Sequence, residues 1–176
     1  MRNHMASLTR LLLLPLLLTA GLAWSAEVHR KGGGYYIYLP PSVAFEQVLD
    51  RLKTEIEAQN WEVLRVQDID TGLKAHYKMD IQNKVVYACK SQYLAQAIEE
   101  DPNITLLVPC RFAIYRVDYA GKAGGAASDG GKIVVGVADP VREADALGIQ
   151  RREAASIAAK ELKAILSAVA DFFAKK

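Results

Sequence analysis

Runs of β-type residues and segments of helical period alternate along the chain from Tyr35 to the C-terminus, and this order limits the possible folds most strongly. The β-type runs are YYIYLPP, WEVLRVQDI, KVVYAC, TLLVPCRFAIYRVD and KIVVGVADP. Between them lie VAFEQVLDRLKTEIEAQN, for which Ser42 is the predicted N-cap, the weaker TGLKAHYKMD, and SQYLAQAIEED. A last helix is predicted from about Gln150 to Phe173. We therefore predict an α+β two-layer sandwich, with about five mostly antiparallel strands, helices packed on one face and a long C-terminal helix.

Residues 1–25 have the pattern of a signal peptide. Arg2 and Arg10 precede an apolar run, Leu11–Trp24, that is shorter than the roughly 20 residues of a membrane-spanning helix. Ala23 and Ser25 are the small residues expected before a cleavage site, so cleavage is predicted after Ser25. The alternative is an uncleaved membrane anchor. We predict export, with a bacterial periplasm as the destination.

Removal of the leader leaves a mature chain without net charge. The full chain has 22 basic and 20 acidic residues, and the leader contains Arg2, Arg10 and no acid, which leaves 20 of each. A neutral domain is not steered to nucleic acid or to an anionic membrane surface, so neither is predicted as a partner. Residues 26–34 are interpreted as a flexible lead-in, and residues 35–176 as a single domain.

Cys89 and Cys110 are the only cysteines, and they flank one predicted helix. In an oxidising compartment they favour a disulfide, but two buried thiols or a redox or metal site remain open. If the strands that carry them were parallel, Cys110 would lie level with Cys89. If they were antiparallel and the later strand began near Thr105, Cys110 would lie roughly 16 Å away, at ~3.3 Å per residue. Cys89 also precedes a predicted helix start, where a lowered thiol pKa is expected.

The remaining polar residues do not form a known catalytic or metal-binding motif. Asp68, Asp70 and Asp139 are predicted at strand ends, where turn and capping roles are sufficient to explain them. A metal site that used both cysteines would need His76 nearby, and no ligand spacing supports one. The glycine-rich GKAGGAASDGG lacks a phosphate-loop ending and is interpreted as a hairpin loop. No catalytic residue, metal or cofactor is predicted.

Three segments together resemble the bacterial family known as domain of unknown function 302: VLRVQDIDTGLKA, YACKSQYLAQAIEEDPNITLLVPCRFAIYRVD and KIVVGVADP. The shared positions are the two cysteines, Pro102, the pair Pro109–Cys110 and the pair Asp139–Pro140; Asp68 lies in the first segment. The resemblance implies a small α+β domain that tends to dimerise and implies no established activity. This chain departs from it at Lys90–Ser91, where relatives usually have Asn-Pro.

These observations lead to one functional prediction and one alternative. We expect an exported, non-catalytic domain that self-associates and binds a small ligand or a partner protein, with the apolar face of the C-terminal helix as a candidate dimer seam. The alternative is a thiol-redox or sulfur-handling protein in which Cys89 reacts and Cys110 resolves.

Overall fold

The computed structural model describes residues 27–117 and 131–175. The strands in this part of the chain are β1 (His29–Lys31), β2 (Gly34–Leu39), β3 (Glu62–Asp68), β4 (Asn83–Cys89), β5 (Cys110–Arg116) and β6 (Ile133–Ala138). The helices are α1 (Phe45–Ala58), α2 (Ile69–Tyr77), α3 (Ser91–Glu100), α4 (Pro140–Ala146) and α5 (Glu153–Ala174), with a 3-10 helix at Pro102–Leu107. The predicted leader lies outside the described residues, as does nearly all of the predicted glycine-rich hairpin loop.

The described strands form one sheet in the order β1-β2-β6-β5-β4-β3, and every neighbouring pair is antiparallel. This confirms the predicted antiparallel α+β class. The strand count is six rather than about five because His29–Lys31, inside the segment interpreted as a flexible lead-in, pair with β2. A two-residue turn of Gly32 and Gly33 closes this hairpin, and Gly32 has the positive φ of 58° that such turns require.

Helices α1 and α5 cover one face of the sheet and enclose the main core. Phe112 and Ile114 of β5 have no solvent exposure, and neither do Leu162, Ile165 and Leu166 of α5. Strands β2, β4, β5 and β6 contribute alternate residues to this face, while α5 contributes an apolar stripe of period 3.6. No helix in the described ranges is both long enough and apolar enough to cross a membrane.

The strand predicted from Thr105 starts later than expected. Residues Pro102–Leu107 form the 3-10 helix, and β5 begins only at Cys110, directly after the cis peptide bond between Val108 and Pro109. The side chain of Asp101 accepts a hydrogen bond from the amide of Asn103, which caps the 3-10 helix at its start. This local cap outweighs the β-type composition of TLLV.

Two helix starts also differ from the prediction. Ser42 is not the N-cap of α1, because Pro40–Val43 form a turn and the helix begins at Phe45 after an extended Ala44. After β6, the chain forms the unpredicted helix α4, in which Asp139 is the N-cap and Pro140 is the first residue. The sequence contains the signal for α4, since Asp followed by Pro is a common helix start.

Candidate functional site

The two cysteines lie at the same end of the sheet. β4 ends at Cys89 and β5 begins at Cys110, and the antiparallel register sets Ala88 opposite Cys110. A later strand that began near Thr105 would bring the cysteines together only if the two strands were parallel. With the strand beginning at Cys110, antiparallel pairing brings the two positions together.

Strand geometry directs the two cysteine side chains to opposite faces of the sheet. Cys110 shares the face of Ala88 and packs against the main core. Cys89 is the next residue of β4 and therefore points to the face of its own cross-strand partner, Glu62. Both cysteines are free thiols in the structure. No bond joins them in the structure, although both border the cavity described below, so the disulfide stays a prediction.

The environment of both thiols opposes ionisation, contrary to the lowered pKa expected for Cys89. Burial raises the pKa of Cys89; the backbone amide of Lys90 acts in the opposite direction, and the charge of Glu62 adds to the increase. Burial likewise raises the pKa of Cys110 to about 12, and the charge of Glu143 contributes. Since the thiolate is the reactive form, these shifts argue against an activated nucleophile.

We expect native protein to be alkylated slowly at Cys89 and much more slowly at Cys110. The measurement is mass spectrometry after iodoacetamide treatment at pH 8, with and without guanidinium chloride. The unfolded, unreduced chain should take up two alkyl groups. Fewer than two would indicate a disulfide, and a Cys89 that reacts faster than free cysteine would support the thiol-redox alternative.

A small apolar cavity, partly open to solvent, lies beside Cys110 between the end of the sheet, α3, the 3-10 helix and α5. Its volume is about 50 Å³. Small side chains leave this space open, and five of the lining residues are alanines: Ala88, Ala97, Ala154, Ala155 and Ala158. The cavity lies between the main core and a smaller apolar cluster around Ile104.

Four side chains form a polar group at the rim of this cavity, which we call the Glu161 cluster. The carboxylate of Glu161 on α5 accepts hydrogen bonds from the indole of Trp61 at 2.7 Å and from the hydroxyl of Tyr93 at 2.5 Å. Lys90 donates to both carboxylate oxygens, at 3.1 and 2.9 Å, and its Nζ also donates to the carbonyl oxygen of Gln59 at 3.0 Å. The Lys90 ammonium lies 4.7 Å from the centre of the Tyr93 ring.

Within the Glu161 cluster, the carboxylate of Glu161 and the ammonium of Lys90 are both held in their charged forms. Burial alone would raise the pKa of Glu161, but the hydrogen bonds from Tyr93, Lys90 and Trp61 outweigh it and lower that pKa. For Lys90, burial alone would lower the pKa, yet the hydrogen bond to Glu161 raises it. A carboxylate stabilised in this way is a weak base, so the cluster is suited to holding α3 against α5 rather than to proton transfer.

The sequence alone does not identify this cluster. Lys90 stands out only as a departure from the family pattern, and Trp61 only as the first residue of a β-type run. One signal was present: Glu161 lies three residues after Ala158 and four before Ile165, inside the apolar stripe of α5. An acidic side chain at such a position needs a partner, but only the fold identifies which one.

Asp139, at the end of β6, has a structural role in which each of its carboxylate oxygens has partners. It is 1% exposed and caps α4 by accepting a hydrogen bond from the amide of Val141 at 3.0 Å. It also accepts from the hydroxyl of Tyr35 and from the guanidinium of Arg30, both at 2.9 Å. Pro140, the other residue of the family pair, is the first residue of α4 and lines the cavity.

The other candidate residues lie away from this end of the sheet. Asp68 is at the far end of β3, where it pairs with Lys84 at 2.5 Å. β4 and β5 separate β3 from β6, so Asp68 and Asp139 are at least roughly 14 Å apart, at ~4.8 Å per strand. His76 is exposed on α2, which starts at the Asp68 end. Within the described ranges, no group of three or more His, Cys, Asp or Glu side chains could hold a metal ion.

The sheet face opposite α1 and α5 carries a group of aromatic side chains, which we call the tyrosine patch: Tyr36, Tyr38 and Tyr115. Val134 pairs with both Tyr38 and Tyr115 and is only 2% exposed. The ring of Tyr36 lies over Gly136, where an added Cβ would come within 2.7 Å of it, so a larger residue does not fit. Burial raises the pKa of Tyr115, and the neighbouring Tyr36 and Tyr38 add to this. The patch is therefore a preformed, half-buried aromatic surface.

These features define a small two-layer α+β domain with an apolar cavity, paired polar groups at its rim and poorly ionised thiols. The family model described as "Domain of unknown function DUF302" matches residues 38–171, so the chain belongs to this family. It is similar to the crystal structure of an uncharacterized conserved DUF302 protein from Bacillus stearothermophilus, with a TM-score of 0.60, 16% sequence identity, and coverage of 79% of this chain and 96% of that one. At this identity the likeness shows the fold alone. No curated protein matches the chain.

Proposed function

We propose that this protein is an exported, non-catalytic domain that self-associates and binds a small ligand. The observation that carries the proposal is the apolar cavity, whose rim groups are all engaged with one another through Glu161. Catalysis generally uses a nucleophile, acid or base whose protonation is poised for reaction. Here the thiol pKa values are raised and the Glu161 pKa is lowered, so neither is poised near neutral pH. Export is supported by the leader pattern of residues 1–25.

The tyrosine patch supports self-association better than α5 does. The apolar residues of the predicted helix face are buried within the chain except Ile157 and Phe172, so little apolar area remains for a seam. Tyrosine is enriched at protein interfaces because it combines a large ring with a polar tip. The occupant we propose is a second copy of this chain, since a mature domain without net charge has no long-range repulsion against itself.

Light scattering of the mature protein during gel filtration tests this. We expect a dimer at micromolar concentration and, for Tyr115→Arg, a dissociation constant increased by at least about tenfold, because a charge would be buried between the copies. Ala164→Arg, at an exposed position on the outer side of α5, is the matched control and should leave the dimer intact. A wild-type protein that is strictly monomeric would contradict the proposal, and so would loss of the dimer only in Ala164→Arg.

A further inference from the structure

The cavity beside Cys110 is built from side chains that leave room and offer little polarity. Its five alanines come from β4, α3 and α5, whereas the next turns of α5 insert Leu162, Ile165 and Leu166 into the main core. The space therefore arises where α5 changes from small to large side chains. Larger residues at the alanine positions would close it, as they do elsewhere along the same helix.

The polar atoms around the cavity have partners already. Lys90 is the only charged residue among those that line it, and its ammonium is bonded to Glu161 and Gln59. The indole of Trp61 and the hydroxyl of Tyr93 also donate to Glu161. In the part of the chain that the structure describes, the one buried side-chain polar atom without a hydrogen bond is Nε of Arg51, which is not in this wall. A charged or strongly hydrogen-bonding group would find no partner here without breaking the cluster.

The size of the cavity limits the shape of its occupant. An apolar cavity of roughly 150 Å³ accepts a benzene molecule, which corresponds to roughly 25 Å³ per ring carbon. By that scale, a cavity of about 50 Å³ accepts about two carbon-sized groups. A six-membered ring needs about three times this volume, whereas the last carbons of an unbranched chain fit.

We infer that this cavity binds the end of an unbranched, uncharged alkyl chain, such as the tail of a lipid-like molecule, with the remainder of the ligand outside. The inference rests on the proposed ligand-binding function and names the class of ligand. The wall supplies apolar contacts from Ala155, Leu94 and Ile104. The Glu161 cluster forms part of the rim, and its charged groups are bonded to each other and not to the ligand. Chain shape therefore decides selectivity.

Titration with 1-hexanol and cyclohexanol, which have the same number of carbons, tests the inference on the mature protein. Methyl NMR signals of Leu94, Leu107 and Ile104 report on the wall. We expect 1-hexanol to shift these signals saturably and cyclohexanol to bind at least about tenfold more weakly, as is typical when a hydrophobic group misfits its pocket. Equal binding of both alcohols, or no saturable shift with 1-hexanol, would overturn the inference.

A pair of alanine variants on α5 locates the binding. Ala155→Val fills the cavity and should weaken 1-hexanol binding by at least about tenfold. Ala159→Val is the matched control, because Ala159 is equally buried but belongs to the main core and does not line the cavity. We expect it to keep the binding, and unchanged binding in Ala155→Val would overturn the inference. Light scattering without alcohol reports separately on self-association, so each proposal can fail without the other.

Discussion

Replacement of Asp139 by alanine is expected to lower the free energy of unfolding by about 3 kcal/mol. Loss of the α4 N-cap costs about 1 kcal/mol, and the Tyr35 hydroxyl left without its acceptor in the core costs about 1–3 kcal/mol. Arg30 is half exposed and adds little. Thermal unfolding followed by circular dichroism should show a melting temperature lower by roughly 10 °C for a domain of this size.

Two further variants separate the parts of the Asp139 effect. Asp139→Asn keeps one oxygen that can cap α4 in the place of Oδ1, while its amide nitrogen replaces the Oδ2 that accepts from Tyr35, so it should cost less than the alanine variant. Tyr35→Phe removes the hydroxyl and leaves the cap intact, which should cost about 1 kcal/mol. If Asp139→Ala were no more destabilising than a surface substitution, about 0.5 kcal/mol, Asp139 would not have this structural role.

The second large effect is expected for Glu161→Ala, which leaves three donors without their common acceptor. The side chain of Lys90 is only 13% exposed, so its ammonium is poorly placed to recover hydration. We expect a loss of about 3 kcal/mol in chemical denaturation, below the cost of breaking a fully buried pair because Glu161 is partly exposed. Lys160→Ala, at the preceding exposed position of α5, is the control and should change stability by less than about 0.5 kcal/mol.

The same cluster predicts a specific dependence of stability on pH. The fold lowers the pKa of Glu161, so its contribution is fully present above the ordinary value near 4.5 and is lost as pH falls through the lowered value. The fold raises the pKa of Lys90, so its contribution is fully present below its ordinary value near 10.5 and is lost as pH rises through the raised value.

Unfolding of wild type and Glu161→Gln from pH 3 to 7 tests the acid side of this window. The glutamine variant keeps an acceptor oxygen and lacks the titrating carboxylate. We expect the stability difference between the two proteins to be largest near neutral pH and to shrink below about pH 4.5. A difference that stays constant over this range would show that the charge of Glu161 does not stabilise the fold.

Local patterns predicted most of the fold elements, and they failed where a cap or a pairing partner decided the structure. The alternation of YYIYLPP identified β2, and the β-type composition of KVVYAC and KIVVGVADP identified β4 and β6. The same reasoning extended β5 back to Thr105, since it cannot weigh the Asp101 cap against an apolar run. His29–Lys31 contain no apolar residue, and they form β1 only because β2 offers an unpaired edge.

The candidate site was predictable only in part. The cysteines were selected for their type, yet their distance and direction depended on the residue at which β5 begins. Asp139 was selected as a family position, and its capping role was readable from the Pro that follows it. The Glu161 cluster joins residues up to 100 positions apart, between Trp61 and Glu161, and no local pattern specifies such a pairing.

By itself, the sequence determined the alternation of strands and helices, the family, and which residue types were available for chemistry, because these depend on neighbouring residues and on composition. Only the tertiary structure decided that the cysteines lie on opposite faces of one sheet end, that five alanines from separate elements leave a cavity, and that Glu161 gathers three donors at its rim. These properties depend on strand register and on helix packing, which set the distances between residues far apart in the chain.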